Sequence, residues 1–366
     1  MKDVSVLFTP FTLGRTKLRN RIAMAPLTRS RATHGTDAPH QLNAEYYEQR
    51  ASAGLIIAEA TQISPYGKGY AFTPGIYSPE QLAGWKLVTD TVHAQGSTIY
   101  LQLWHVGRIS HPSLQPGELL PVAPSPIAPK DQHTFLETAG FADIGTPRAL
   151  DLKEIPILID NYADAAEKAL AAGFDGVEIH AANGYLLDQF QRDGSNQRTD
   201  RYGGSVENRI RLTLEATAAI VDRIGADRTG IRLSPVSPAC GAFDSDPISV
   251  FFPLVRELNR FGLAYVHVIE GHTQGPRDFH GLDFHALRKS FDGPWIVNNG
   301  YTRDMAIDAV GSGYADLVAF GRAYISNPDL VERLRIDAPL NEVNLNNVYG
   351  GGAAGYTDYP ALARPA

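Results

Sequence analysis

Eight short apolar runs recur along this chain, at 22–27, 55–61, 98–105, 177–179, 230–234, 265–270, 295–300 and 316–322, and helix-patterned stretches separate nearly all of them. The helical patterns cover 41–53, 79–94, 162–172, 208–224, 247–261 and 302–310, with a last one at 328–334. Strands that alternate with helices fold as βαβ units, whose strands pair in parallel. Eight such units close on themselves as an α/β (β/α)8 TIM barrel. A doubly wound open sheet is the rival. It would carry Gly-x-Gly-x-x-Gly after an early strand, and that pattern is missing there. The 366 residues suit one domain spanning 1–366 without an internal boundary.

Local signals add detail. Two short alternating segments meet at Gly14-Arg15 before the first barrel run and predict an N-terminal β-hairpin. Ser78-Pro79 opens the second helix with a capping hydroxyl and a proline at the first helical position. Ser205 caps the helix of 208–224, with Asn208 standing where a capping-box partner would. The segment 106–150 breaks the rhythm, with prolines at 112, 116, 121, 124, 126, 129 and 147. A long excursion after the third strand of a regular alternation is expected to be a lid or binding loop.

Composition narrows the function classes. The formal net charge is -7 and no Lys/Arg block occurs, so neither nucleic acid nor an anionic membrane is expected as a partner. Cys240 is the single cysteine, which excludes an intrachain disulfide and a Cys-based zinc site. Its place just past the fifth strand reads as structural. The start, Met1-Lys2-Asp3-Val4, lacks the pattern of a signal peptide, and no apolar run approaches the roughly 18 residues of a membrane span. A cytoplasmic protein is expected.

The C-terminal ends of a barrel's strands form its active face. The fourth strand, in Gly176-Val177-Glu178-Ile179-His180-Ala181-Ala182-Asn183-Gly184-Tyr185, ends in an imidazole, then a carboxamide, then a phenol. His180 and Asn183 can bind one oxygen together, and Tyr185 can supply a proton. The other strand ends carry Pro26-Leu27-Thr28, Ala60-Thr61, Gln102-Leu103-Trp104-His105, Arg232, Asn299-Gly300 and Gly321-Arg322. They are rich in hydrogen-bond donors and include two arginines. There is no acidic pair for glycoside hydrolysis and no Gly-x-Ser-x-Gly. His180 and His105 have no carboxylates at ligand spacing, so no metal is expected. Gly300, Gly321 and Arg322 suit a phosphate at the end of strands seven and eight. Arg232 leaves a buried strand and needs a partner. A cofactor ring that gains negative charge on reduction would be one, and Thr28 and Gln102 can donate and accept around it.

These residues coincide with a known family. The chain resembles the old yellow enzymes, flavin-dependent ene-reductases, over nearly its whole length. The likeness rests on Asn20-Arg21-Ile22-Ala23-Met24-Ala25-Pro26-Leu27-Thr28-Arg29, Leu101-Gln102-Leu103-Trp104-His105-Val106-Gly107-Arg108, the 176–186 stretch, Asn196-Gln197-Arg198-Thr199-Asp200-Arg201-Tyr202-Gly203-Gly204-Ser205, Ala319-Phe320-Gly321-Arg322 and Gly355-Tyr356-Thr357-Asp358-Tyr359-Pro360. It is most similar to the branch of bacterial N-ethylmaleimide and nitrate-ester reductases and plant oxophytodienoate reductases.

The resemblance implies an FMN barrel that takes hydride from NAD(P)H, with NADPH the favoured form, and passes it to activated alkenes: enones, maleimides and nitroalkenes, with nitrate esters or nitroaromatics as further candidates. It also implies phenolic ligands. Ala25, Pro26, Thr28, Ala60, Gln102 and Arg232 match positions that hold the isoalloxazine. Gly300, Gly321 and Arg322 match the phosphate site, with Asn299 beside them where relatives often have a smaller residue. His180 and Asn183 match the pair that binds the substrate's oxygen, and Tyr185 matches the proton donor. Tyr70, Trp104 and Tyr356 match aromatic walls of the substrate pocket. Thr28 stands where the thermophilic-type branch has cysteine, which argues against redox tuning by a thiol. A monomer or weak homo-oligomer is expected. The alternative reading is a flavin-containing ligand-binding barrel without turnover, and Tyr185 speaks against it. An FMN barrel oxidising α-hydroxy acids would need a histidine–acid pair and more arginines facing the substrate.

Overall fold

In the computed structural model, which describes residues 2–363, eight parallel strands close into a barrel. They are β1 (Ile22–Met24), β2 (Leu55–Gln62), β3 (Ile99–Trp104), β4 (Gly176–Ala181), β5 (Thr229–Leu233), β6 (Tyr265–Ile269), β7 (Trp295–Asn298) and β8 (Leu317–Phe320). Each pairs with its successor, and β8 pairs with β1 to close the ring. Every residue of these strands is buried, because the barrel fills one face and the helices cover the other. Residues such as Ile57, Val266 and Ile296 are fully excluded from water. Each contributes roughly 1.5–3 kcal/mol of transfer free energy.

The hairpin lies at the opposite end from the site. Phe11–Leu13 pairs antiparallel with Thr16–Leu18, and Leu13 and Leu18 pack with Leu55, Tyr100, Tyr265 and Leu317. The turn needs glycine: Gly14 has φ +54°, and a Cβ there would lie 1.9 Å from the Asp227 carbonyl oxygen just before β5. Arg15 then pairs with the Asp227 carboxylate at 2.5 Å. The floor of the barrel is thereby closed, which leaves chemistry to the C-terminal end.

The helices differ from expectation mainly at their ends. The first runs Gln41–Gln49 and stops four residues before the expected 53, with Arg50 as its C-cap. The third begins at Ile155, well before 162, with Pro156 in its first turn. Ser205 does cap Val206–Ile224, its Oγ accepting from the Asn208 N–H at 3.4 Å. The Asn208 side chain, however, donates to the Gly203 carbonyl at 3.0 Å and its oxygen accepts from Arg211 at 2.8 Å rather than from the Ser205 N–H, so there is no capping box. The seventh and eighth strands stop at Asn298 and Phe320, leaving Asn299, Gly300 and Gly321 in turns. Short helices at Leu186–Gln191, Phe284–Arg288 and Arg322–Ser326 had no periodic signal long enough to predict them.

The excursion after β3 forms a hairpin, His133–Leu136 with Gly140–Asp143, and a two-residue parallel pair, Val122–Ala123 with Arg148–Ala149. The Ala71 N–H donates to the Phe135 carbonyl at 2.9 Å, and the Thr134 hydroxyl donates to the Gly69 carbonyl. The Arg108 guanidinium donates to the carbonyls of Ile127 at 3.2 Å and Gly241 at 3.0 Å. The hairpin thus joins the loop that carries Tyr70, past the end of β2. No helix among the described residues is long and apolar enough to cross a membrane.

Candidate active site

Side-chain alternation places Glu178 and His180 on the same, inward face of β4. Register places their neighbours: His180 is level with Arg232 on β5, and Arg232 with His267 on β6, while Glu178 is level with Gln102 on β3. A polar layer results. The Gln102 amide donates to one Glu178 oxygen at 2.7 Å, and His267 Nδ1 lies 2.8 Å from the other. Arg232 Nη2 donates to Asn298 Oδ1 at 2.8 Å, and Asn298 Nδ2 donates to the Ala319 carbonyl at 2.7 Å. Burial lowers the pKa of His267, so the neutral ring donates its Nδ1–H to the carboxylate. The Glu178 charge in turn opposes the desolvation of Arg232. Sequence reading assigned no role to Glu178, His267 or Asn298. Alternation along β4 carried a signal for Glu178, but strand register carried the rest.

His180 is nearly fully buried and its Nδ1 has no protein partner. Burial, then the positive charge of Arg232, holds its pKa well below the usual imidazole value. It is neutral at pH 7 and keeps one N–H to donate. Asn183 follows at φ +60° and Gly184 at φ +74°, a left-handed pair that turns the chain sharply. The Asn183 N–H is held by Ser234 Oγ at 2.7 Å and the Gly184 N–H by Asp188 at 2.8 Å. Asp188 is itself paired with the buried Arg192 at 2.8 Å.

The turn delivers Tyr185 to an aromatic wall. Its ring meets Trp104 edge to face at 4.9 Å and His180 at 5.1 Å, and Trp104 stacks on Tyr70 at 5.8 Å. The Tyr70 and Tyr185 hydroxyls are 3.4 Å apart. Burial raises the Tyr185 pKa well above its usual value, so the phenol keeps its proton. Cys240, read from the sequence as structural, packs against this same cluster with Tyr70, Trp104 and Tyr185. Tyr356 stands apart. It is fully buried, stacked on Tyr46 at 4.1 Å, with its hydroxyl accepting from Asn43 Nδ2 at 3.2 Å. Any part it plays in a pocket wall would be indirect. His105 Nδ1 accepts from the Gly107 N–H at 3.1 Å, and burial pushes its pKa down to about 3, which leaves a neutral structural ring.

The expected cofactor residues lie along the same rim. The Ala25 N–H donates to the Phe320 carbonyl at 2.9 Å, and a Cβ added at Gly321 would lie 3.9 Å from that of Ala25. It would also lie 3.5 Å from Leu27 Cδ2, an ordinary packing contact, whereas a Cβ at Gly300 would meet only Arg277, at 3.9 Å. Arg322 is exposed, with one long contact to the Gln274 carbonyl at 3.4 Å. Asn299, at φ +98°, spends its side chain on the Glu270 carbonyl at 2.7 Å. It has backbone rather than amide to offer a ligand. Pro26 and Thr28 are half-buried, and Ala60 is buried beside Trp104. Beneath Thr28, the Arg29 N–H donates to Glu59 at 3.2 Å.

The loop after β6 supports this rim and was missed from sequence. The buried Glu270 accepts from Arg277 at 2.6 Å and from Tyr301 at 2.7 Å, and Arg277 Nη1 donates to the Asn299 carbonyl at 2.7 Å. In the same loop His272, Asp278 and His280 bring their ligand-type atoms within 4.8 Å of one another. The two imidazoles point Nε2 at Nε2, 2.5 Å apart, with their planes 12° from parallel. That is too close for face-to-face stacking and describes an edge-on N–H···N pair.

Residues 6–341 match the sequence profile of the NADH:flavin oxidoreductase / NADH oxidase family. The chain is 45% identical to 12-oxophytodienoate reductase 1 of Oryza sativa subsp. japonica, over 97% of this chain and 93% of that protein. It is 42% identical to 12-oxophytodienoate reductase 2 of Arabidopsis thaliana, over 97% and 96%. Among solved structures, morphinone reductase in complex with tetrahydroNAD superposes with a TM-score of 0.92 at 48% identity, covering 98% of both chains. The old yellow enzyme homologue from Zymomonas mobilis also gives 0.92, at 45% identity, over 97% of this chain and 99% of the other.

Proposed function

The chain belongs to the NADH:flavin oxidoreductase family of old yellow enzymes, FMN-dependent alkene reductases on a TIM barrel, and from that premise we propose that it reduces double bonds conjugated to a carbonyl or nitro group. Enones, maleimides and nitroalkenes are the substrate class, with nitrate esters or nitroaromatics as further candidates, and NADPH is the favoured electron source. A cytoplasmic setting, where that reductant is supplied, belongs to the same reading.

One observation carries it: a buried, neutral His180 with an unpartnered Nδ1 stands beside a phenol held in its protonated form. His180 and Asn183 would donate to the substrate oxygen and stabilise the negative charge that grows there. This withdraws electron density from the β-carbon. Tyr185 would then give its proton to the α-carbon, general acid catalysis from a group that carries its proton at working pH. Tyr70 and Trp104 would wall the ring system of the substrate.

The residues present fit FMN. Gly300 and Gly321, neither of them crowded, and the exposed Arg322 adjoin one another, so a phosphate could accept from backbone and guanidinium there. Arg232 is buried with its Nε unpartnered, and an electron-rich ring would give that N–H an acceptor. When bound, FMN supplies the hydride transfer from NAD(P)H to the alkene.

The test is NADPH oxidation by the purified yellow protein, with and without 2-cyclohexenone. Acceleration by the enone is expected. Flavin present but no acceleration would turn the reading to a ligand-binding barrel.

A further inference from the structure

We propose that Thr273, in the loop after β6, is a positioning residue that fixes which end of the Asn183 amide faces the substrate. The inference rests on the reading that Asn183 donates to the substrate oxygen.

A carboxamide is nearly symmetrical in shape but not in function: only its nitrogen can donate. The Asn183 backbone is already clamped by Ser234, so the remaining freedom is the flip of its amide. Thr273 Oγ1 lies 2.6 Å from Asn183 Oδ1. Thr273 is tied in turn to Ser237, a buried residue on the loop after β5, whose Oγ lies 2.9 Å from Thr273 Oγ1.

The direction of the protons is set at Ser237. Its oxygen accepts two backbone N–H groups, from Thr273 at 3.0 Å and Ala239 at 3.4 Å. A hydroxyl has two acceptor sites and one hydrogen. With both acceptor sites taken, Ser237 can only donate, and it donates to Thr273 Oγ1. Thr273 then points its own hydrogen at Asn183, which must present its oxygen. The Asn183 N–H2 is left for the site. A flipped amide would set two donors against each other at one end and an oxygen against the substrate oxygen at the other. Three loops, after β4, β5 and β6, thus meet in a relay of fixed polarity.

The experiment uses the FMN-loaded protein, titrated with phenol and followed by the change in visible flavin absorbance, together with steady-state kinetics on 2-cyclohexenone. Thr273→Val keeps the shape and removes the hydroxyl. It is expected to weaken phenol by about threefold to tenfold, the value of one hydrogen bond, and to raise KM more than it lowers kcat. Thr273→Ser should restore affinity to within about twofold. In an Asn183→Ala background, Thr273→Val should have no further effect. The same weakening there as in the parent overturns the proposal, as does an unchanged affinity in Thr273→Val when Asn183→Ala alone weakens phenol. If Asn183→Ala binds phenol as the parent does, the assignment of Asn183 falls, and the proposal with it. Should Thr273→Val not fold, Ser237→Ala removes the donor that sets the polarity. Weaker phenol binding is expected there, and unchanged binding overturns the relay.

Discussion

His180 and Arg232 are register partners on adjacent strands, and the imidazole therefore sits beside a buried guanidinium with no carboxylate of its own. Burial first, and that cation second, keep His180 neutral. The direction of the shift settles the pH behaviour. Lowering the pH through the ordinary imidazole range, about 6.5, does not protonate it. The KM for a non-ionising enone should accordingly be flat between about pH 5.5 and 8. An inflection near the ordinary imidazole value that vanishes in His180→Asn would show that the ring titrates after all.

Phenols should occupy the same donor pair, and their ionised form should gain most from it. Removing one donor with His180→Ala or Asn183→Ala should weaken phenol by about 1.5–3 kcal/mol, the range for hydrogen bonds to charged groups. Direct titration at fixed pH measures this. Unchanged affinity in both variants would remove the pair from its assigned role.

The barrel was legible because its information is local. Apolar runs such as 55–61 between amphipathic stretches specify buried parallel strands wherever they occur. The ends of those runs also named His180, Arg232 and Gly321 as site candidates. What escaped reading depends on contacts distant in sequence. Glu178 and His267 are 89 residues apart and meet only through strand register. Cys240 reaches the aromatic cluster through a left-handed turn at φ +53°, which its neighbours do not announce. The 106–150 excursion is held by bonds such as Ala71 to Phe135, and no periodic pattern encodes them. The Asn208 oxygen could accept from the Ser205 N–H or from Arg211, and spacing could not choose between them; Arg211 takes it at 2.8 Å.

Arg322 is exposed and nearly free, so its value should lie in the bound cofactor rather than in the fold. Arg322→Ala should raise the dissociation constant for FMN by about tenfold to 100-fold, from the loss of charge-assisted hydrogen bonds to phosphate, with little change in the melting temperature of the flavin-free protein. The parent should release one FMN per chain on heating. Titration of the flavin-free protein with FMN and its melting curve, parent against variant, check the first statement; chromatography of the released flavin checks the second, and recovery of FAD would contradict the phosphate assignment.

Glu59 is buried beneath the Thr28 segment, and burial raises its pKa from 4.5 to about 7. The folded state thus binds its proton more tightly than the unfolded chain. The stability this confers is complete below about pH 4.5 and is lost as the pH rises toward and through about 7. The linked change is on the order of 3 kcal/mol. Glu59→Gln mimics the protonated form and should flatten that part of the stability profile. Urea unfolding at several pH values, parent against variant, measures the difference. An identical pH dependence in both would show that Glu59 does not carry the titration.

Tyr185 allows the cleanest separation of roles. Its phenol is 3.4 Å from that of Tyr70 and is kept protonated by burial. Reduction of the flavin by NAD(P)H consumes no phenolic proton, whereas saturation of an enone does. Tyr185→Phe keeps the ring that packs on Trp104 and His180 and removes only the hydroxyl. The reductive half-reaction should stay near the parent rate. Enone reduction should slow by roughly 10²–10⁴, the contribution of general acid catalysis. A nitroalkene should suffer less at the hydride step, because its nitronate is stable without immediate protonation. Stopped-flow measurement of each half-reaction resolves the three cases. Equal slowing of both half-reactions would mean that Tyr185 positions ligands rather than donating a proton.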